Sequence, residues 1–327
     1  MEAVLLATGP WDRFGILTRR TPPPLLSVAN VPVLGQHLAA CRCAGVSVVH
    51  LFVAEDHRAF REVLGEGRRW GIRLVMHRLS GPEAVTSRLR SLSGGRERRL
   101  LVLRDDTLLM PDAVRAHLAG VDQDETRGSA IEDGEAWGIL SLPTEALERL
   151  GGGDARSALA EIWESSGRGV PPESHPQDCR VFRSGEDLLR LNLESCEELP
   201  WLGMGQATRE GVFVQSNVQI DPTARLVPPV LIGRNAHVGA GVVLGPRAVV
   251  GEDCCLGDRA VLHDCLVLSR TYVGNGCEVR DAVVDGCGIY HRRHGAELVL
   301  PRLTLLADVE LESRTGRLVP RRHRPRS

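Results

Sequence analysis

No lysine occurs in the 327 residues, and all 40 basic side chains are arginine. Any mechanism that needs a lysine ammonium is therefore excluded, because arginine's planar fork imposes a different geometry. Aromatic residues make up only 4% of the chain, so its core must be built mainly from aliphatic side chains. There is no excess of positive charge either. The net charge of −2 excludes a globally basic nucleic-acid binder and gives no sign of specific nucleic-acid recognition. No apolar run approaches the ~18 residues needed to span a bilayer. The first residues lack a signal-peptide pattern, with Glu2 where positive charge is wanted and an apolar stretch of only about six residues. A cytoplasmic location is the expectation. The nine cysteines are odd in number and without framework spacing, and read as reduced thiols.

What is present is a repeat. Counting in sixes from Val214 gives Ile220, Leu226, Ile232, Val238, Leu244, Val250, Leu256, Leu262 and Leu268, all aliphatic. Glycine follows directly at Gly233, Gly239, Gly245, Gly251 and Gly257. Smaller residues recur four places after each aliphatic, among them Ala224, Ala236, Val242, Ala248, Cys254 and Ala260. Neither a 3.6 nor a 2.0 period produces this pattern. A triangular parallel β-helix does, with one short strand per face and one inward aliphatic per repeat. The phase is expected to slip by one residue near Tyr272, followed by one or two more coils. The segment 296–311 should close the end.

Residues 1–196 read differently. Apolar β-type runs at 3–7, 46–53, 72–76, 100–103 and 138–142 alternate with helical stretches near 31–44, 56–68, 82–93, 111–119 and 143–150. That alternation predicts a Rossmann-like, doubly wound α/β domain. Its ligands would sit outside the carboxyl ends of the strands, at the loops after Ala7 and Leu103. Residues 197–211, rich in Gly and Pro, read as a linker, and 212–312 as the coil domain. The tail 313–327 carries six arginines and no acid and is expected to be disordered and solvated. Docking on an acidic partner, anionic lipid or RNA is the other reading of that tail.

An α/β domain followed by a hexapeptide coil resembles the sugar-nucleotide pyrophosphorylases, such as mannose-1-phosphate guanylyltransferases and glucose-1-phosphate nucleotidyltransferases. The stretch Thr21-Pro-Pro-Pro-Leu-Leu-Ser-Val-Ala-Asn-Val-Pro-Val-Leu34 is similar to that family's P-K-P-L-L-x-V-A-N-x-P-x-L segment. The run from Asp264 to Gly286 looks most like the guanylyltransferase branch. The resemblance implies an α/β nucleotidyltransferase-like domain and a left-handed parallel β-helix. It also implies transfer of a nucleotidyl group from a nucleoside triphosphate to a sugar 1-phosphate, with Mg²⁺ held by carboxylates.

Set against the family's motifs, the chain is altered at most reacting positions. The phosphate loop, similar to L-A-G-G-x-G-T-R-L, falls on Leu6-Ala7-Thr8-Gly9-Pro10-Trp11-Asp12-Arg13-Phe14. Trp11 stands where backbone approach needs glycine, and Asp12 would repel a triphosphate. The P-K-P lysine falls on Pro23. The base-recognition turn, similar to L-G-T-A-G-A, falls on Leu79-Ser80-Gly81-Pro82-Glu83-Ala84 and is largely rewritten, Gly81 being the glycine it offers. The metal-binding N-G-D falls on Arg104-Asp105-Asp106, and the sugar-side N-A-G on Ala136-Trp137-Gly138. A second metal aspartate would fall near Val181 in Cys179–Ser184, where no carboxylate stands. The residues the resemblance leaves in place are Arg13 and Asp106 for catalysis, Ala7, Gly9, Arg13 and Gly81 for the nucleotide, and Asp106 for a metal.

Loss of one well-placed electrostatic group commonly costs about 10²–10³ in rate. Several losses together point to a non-catalytic, ligand-sensing or structural member of nucleotide-sugar metabolism. Such a protein would be a homo-oligomer, or a hetero-oligomer with an active paralogue, and could bind a nucleotide or sugar phosphate. The alternative is an active pyrophosphorylase with an atypical site, needing Mg²⁺. A third class, the hexapeptide acyltransferases, would draw on His237 or His263, but the repeats carry no insertion to form a pocket. Cys287, His291 and His294 have a spacing that could ligate zinc, but only three ligands are evident in an arginine-rich stretch, and an ordinary loop is the favoured reading. Cys254 takes a small-residue slot and reads as a core hydrophobe.

Overall fold

The structure is a computed structural model describing residues 1–9, 11–54, 57–92, 99–119, 125–130, 137–150, 154–165, 179–198, 206–300, 305–311 and 318–320. By internal contact the chain forms two units. The first is Met1–Pro10 with Pro32–Arg183, and the second is Trp11–Val31 with Ser184–Ser327. The division thus falls at three places along the chain rather than at one boundary near residue 196. No helix among the described residues is long and apolar enough to cross a membrane.

In chain order the elements up to residue 198 are β1 (Glu2–Ala7), β2 (Ser27–Val28), β3 (Val31–Pro32), α1 (Val33–Cys43), β4 (Val48–Val53), α2 (His57–Leu64), β5 (Arg73–Arg78), α3 (Pro82–Arg90), β6 (Arg99–Arg104), β7 (Thr107–Leu109), α4 (Ala113–Leu118), β8 (Arg127–Ala130), β9 (Trp137–Pro143), α5 (Ala155–Ser165), β10 (Cys179–Val181) and α6 (Gly185–Glu198). Six of these strands make the sheet of the first unit, in the order β5-β4-β1-β6-β9-β8. β5, β4, β1 and β6 run parallel, while β9 is antiparallel to both β6 and β8. The sheet is therefore mixed, with a parallel half that follows the expected alternation of strand and helix.

Burial explains the order. Ala3 to Ala7 of β1 and Leu101 to Leu103 of β6 are fully buried, as central strands covered on both faces must be. Val4, Leu6, Leu100 and Val102 pack with Val85 and Leu89 of α3 and with Leu159 and Trp163 of α5. Ala3, Leu5 and Ala7, alternating with them, are buried on the opposite face. β5 lies at the sheet edge and carries Arg73 and Arg78 exposed, which discourages pairing with another chain. The stretch 143–150 forms a 3-10 turn at Thr144–Arg149 rather than an α-helix. Pro143 opens it and the run is too short to propagate a full α-helix.

In the second unit, short strands recur in threes from Val212 to Asp285. Val212–Val214, Val230–Ile232, Ala248–Val250, Cys265–Val267 and Ala282–Asp285 form one parallel face. Two further faces are built in the same way, Gln219–Ile220 leading one and Arg225–Leu226 the other. Val238, Leu244, Val250, Leu256 and Leu262 are fully buried in a single core with Ala236, Val242 and Cys254. Burial pushes the Cys254 thiol up to about 12, consistent with an inert core residue. A Cβ at Gly233 would collide with the backbone of Gly251 in the adjacent coil, so this corner admits only glycine. Asn217, Asn235 and Asp253 adopt positive φ at an outer corner and hydrogen-bond in a ladder, at 2.9 Å and 2.8 Å.

The phase slip comes earlier than expected. Val250 pairs with Val267, so Val267 and not Leu268 takes the inward place. The cause is a corner one residue shorter: Leu262 leads to Cys265 through His263-Asp264, where Leu244 leads to Ala248 through Gly245-Pro246-Arg247. Parallel pairing then continues through Thr271–Val273, Glu278–Arg280 and Ala282–Asp285, one further strand on each face and so one of the one or two further coils expected. Two antiparallel strands follow, Gly288–His291 and Ala296–Val299, and Leu306–Leu311 pairs antiparallel with Thr271–Val273. Leu306 and Ala307 are buried there and close the end of the core, as the sequence led us to expect of this segment.

The segment 11–31 is bound into the same unit. Arg20 Nη1 donates to Asp285 at 2.6 Å, and Asn30 Nδ2 donates to the Val250 carbonyl at 3.0 Å. The Ile16 N–H donates to Glu297 at 3.0 Å. Gly15 has φ +47°, and a Cβ there would meet the Glu297 carboxylate. Asn192 of α6 accepts from the Ala29 N–H at 3.0 Å, and α6 packs on the coil strands Ala248–Val250 and Cys265–Val267. Of the expected tail, Leu318–Pro320 pairs with Leu306–Leu311, and all six arginine positions lie outside the described residues, as do 199–205 of the linker.

Candidate functional site

β6 is a buried aliphatic strand that ends abruptly in charge, at Arg104-Asp105-Asp106. Two tertiary features build on this end. β10 pairs antiparallel with β7, placing Val181 opposite Thr107, and the Phe182 N–H donates to the Asp106 carbonyl at 3.0 Å. That pairing delivers Arg183 to Asp106. The first turn of α5 delivers Arg156. On the other side, buried His37 of α1 sets Nδ1 2.8 Å from the Val33 carbonyl and Nε2 3.0 Å from the Arg104 carbonyl. Burial disfavours a proton on this ring, the two carbonyls favour one, and the balance falls below the ordinary histidine value.

Both Asp106 oxygens are taken by guanidinium groups. Arg104 binds it in a fork, Nε to Oδ1 at 2.8 Å and Nη2 to Oδ2 at 2.5 Å. Arg183 Nε donates to Oδ2 at 3.1 Å, and Arg156 Nη1 lies 3.8 Å from the same oxygen. Arg156 also pairs with Asp105, which is 1% exposed. Burial alone would raise the Asp106 pKa. The Arg104 hydrogen bonds and the charges of Arg104, Arg156 and Arg183 outweigh it and hold the carboxyl at about 2. Arg156 is shifted the opposite way: burial lowers its value, and Asp105 and Asp106 more than restore it. Arg104 also lies over the ring of fully buried Trp137, 5.5 Å from its centroid.

A divalent cation does not fit this donor set. Mg²⁺ requires near-octahedral oxygen ligands at about 2.0–2.1 Å, most of them water or carboxylate. Here the carboxylate positions face three positive side chains, and the place near Val181 where a second carboxylate would be needed supplies Arg183. No group of three His, Cys, Asp or Glu able to hold a metal occurs among the described residues.

Of the residues singled out from sequence, four belong to the first unit. Ala7 ends β1, whose neighbour β6 pairs Arg104 with Leu6, so Ala7 and Asp106 share the carboxyl edge of the sheet. Gly9 follows with φ +76°, and Gly81 precedes α3 at the same edge, beyond β5. Arg13 lies in the second unit, exposed on a 3-10 stretch at Asp12–Thr18. Pro10 and Ala136 lie outside the described residues. Arg156, Arg183 and His37 were not foreseen as site residues. Arg183 stood within the motif compared, and its arginine was the available signal, whereas Arg156 carries none in a helix with no motif.

His237 is exposed, and His263 Nδ1 lies 3.1 Å from Asp264. The rings of His291 and His294 are tilted at 33° to each other, with centroids 4.8 Å apart. His117 is buried between Ser129 and Ser141, at 2.7 Å and 3.0 Å, and burial pushes it down to about 3. An open groove of about 820 Å³ runs along edge strand β5, lined by Arg61, Arg68, Arg73 and Met76, three strands away from β6. It contains none of the residues singled out.

Comparison with known proteins gives matches to parts of the chain. Residues 226–291 match the family model of the GMPPB C-terminal domain. The chain is 36% identical over 75 residues to an N-acetylmuramate alpha-1-phosphate uridylyltransferase of Neisseria meningitidis serogroup B, covering 23% of this chain and 32% of that protein. It is 33% identical over 127 residues to a CMP-5'-(3-aminopropyl)phosphonate synthase of Streptomyces rubellomurinus, covering 38% of this chain and 20% of that protein. The matched stretches thus span about a third and a fifth of these relatives. Together these matches support the resemblance to the sugar-nucleotide pyrophosphorylase family.

Proposed function

We propose, from that resemblance, that the chain is a nucleotidyltransferase-like protein of sugar-nucleotide metabolism that does not carry out metal-assisted transfer. In this reading its α/β unit binds or senses a nucleotide or sugar phosphate. Its coil, wound left-handed, serves assembly with further copies or with an active paralogue. The observation that carries the reading is the capture of both Asp106 oxygens by Arg104 and Arg183. Nucleotidyl transfer requires charge neutralisation and in-line alignment at the α-phosphate, which a carboxylate-held divalent ion commonly supplies. A carboxylate already neutralised by arginine has no remaining field with which to hold such an ion.

The second reading is an active transferase. It is favoured by the names of the two relatives, one a uridylyltransferase and the other a synthase. A pyrophosphate-release assay separates the two. The full chain is incubated with Mg²⁺, each nucleoside triphosphate and a panel of sugar 1-phosphates, including UTP with N-acetylmuramate α-1-phosphate. We expect no release above an Asp106→Ala control. Turnover with any pair, abolished by that substitution, would overturn the non-catalytic reading.

A further inference from the structure

Two consecutive aspartates at the end of a buried strand require positive charge close by. The charge here comes from three separate parts of the first unit: Arg104 at the end of β6, Arg156 on α5, and Arg183 beyond β10. The three guanidinium groups neutralise the carboxylates as a metal ion would at such a turn, and Arg156 and Arg183 also tie distant segments to β6. Their donors also stand where ligand exchange would have to begin, at 2.8 Å from Oδ1 and at 2.5 Å and 3.1 Å from Oδ2.

We infer that Arg104 and Arg183 are built-in counter-cations that replace a divalent ion at Asp106, leaving the Asp105–Asp106 turn closed to Mg²⁺ and Mn²⁺ for as long as they are present. This rests on the proposed reading but extends it, because it assigns the closure to two named positioning residues. Arg156 remains the partner of buried Asp105, so removing the other two exposes one carboxylate while keeping the more deeply buried pair intact. The resulting turn has the negative field that the native one lacks.

The test is Mn²⁺ binding to the full chain, read from the loss of the free-ion electron paramagnetic resonance signal, with folding checked by circular dichroism. The native protein should show no saturable binding that depends on Asp106. Arg104→Ala combined with Arg183→Ala should bind one equivalent at least about tenfold more tightly than the native chain, and adding Asp106→Asn should abolish the gain. If the double variant does not fold, Arg183→Gln alone should show a smaller gain in the same direction. Saturable binding to the native chain that is lost in Asp106→Asn would overturn the inference, as would a folded Arg183→Gln or double variant with no gain. Turnover in the absence of Mn²⁺ binding at Asp106 would refute the proposed function and leave this inference standing.

Discussion

The coil and the end of β6 are both deeply buried, yet they are held together by opposite means. In the coil apolar inward side chains stack on their equivalents in the next turn, as Val238, Leu256 and Val273 show. The stabilising force is non-directional and repeats along the axis. At the end of β6 the buried groups are charged, and each depends on particular partners from elsewhere in the unit. A lost methylene in the coil leaves a cavity. A lost guanidinium at Asp106 or Asp105 leaves a buried charge less well compensated, and changes how the site responds to protons and metal ions.

Substitutions can break this contrast in order of expected effect. Leu256→Ala removes a fully buried side chain from the middle of the stack and should cost about 3–4 kcal/mol in urea denaturation, with little dependence on pH. Arg156→Ala withdraws a guanidinium from buried Asp105 and should cost about 3 kcal/mol. Replacing the pair together, Asp105→Asn with Arg156→Met, should recover most of that loss, a compensation with no counterpart in the coil.

Acid should separate the regions next. The Asp106 carboxyl is held at about 2 in the folded chain, below its ordinary value of 3.8. Its contribution is therefore fully present above the unfolded value and is lost as pH falls through the folded one. Between about pH 4 and pH 2 this should remove about 2 kcal/mol, and Asp106→Asn should flatten that part of the stability profile. The smallest expected effect is at the coil surface. Asn235→Ala cuts the corner ladder and places alanine at φ +58°, which should cost about 1 kcal/mol by the same denaturation measurement.

The same contrast explains what could be read before the structure was known. Ten aliphatics in register announced the coil because inward facing depends on position along the repeat and on nothing remote. Even there, the shortened corner at His263-Asp264 moved Val267 into the place expected for Leu268. The corners differ in residue count, two at His263-Asp264 against three at Gly245-Pro246-Arg247, which an aliphatic count does not report. The parallel strands of the first unit were visible as apolar runs, whereas α5, β8 and β10 were not, being short or only weakly patterned. Asp106 was visible as a strand-end acid that the family resemblance marked. Its environment was not, since Arg156 and Arg183 lie 50 and 77 residues further along the chain and reach it only through α5 and the β7–β10 pairing.

The most direct test is a crystal structure of the native chain grown or soaked with excess Mn²⁺, with anomalous scattering used to locate the ion. Our account predicts Arg104 and Arg183 on Asp106 and no anomalous peak within coordination distance of either Asp106 oxygen. A manganese ion bound to Asp106, with the guanidinium groups displaced, would contradict it.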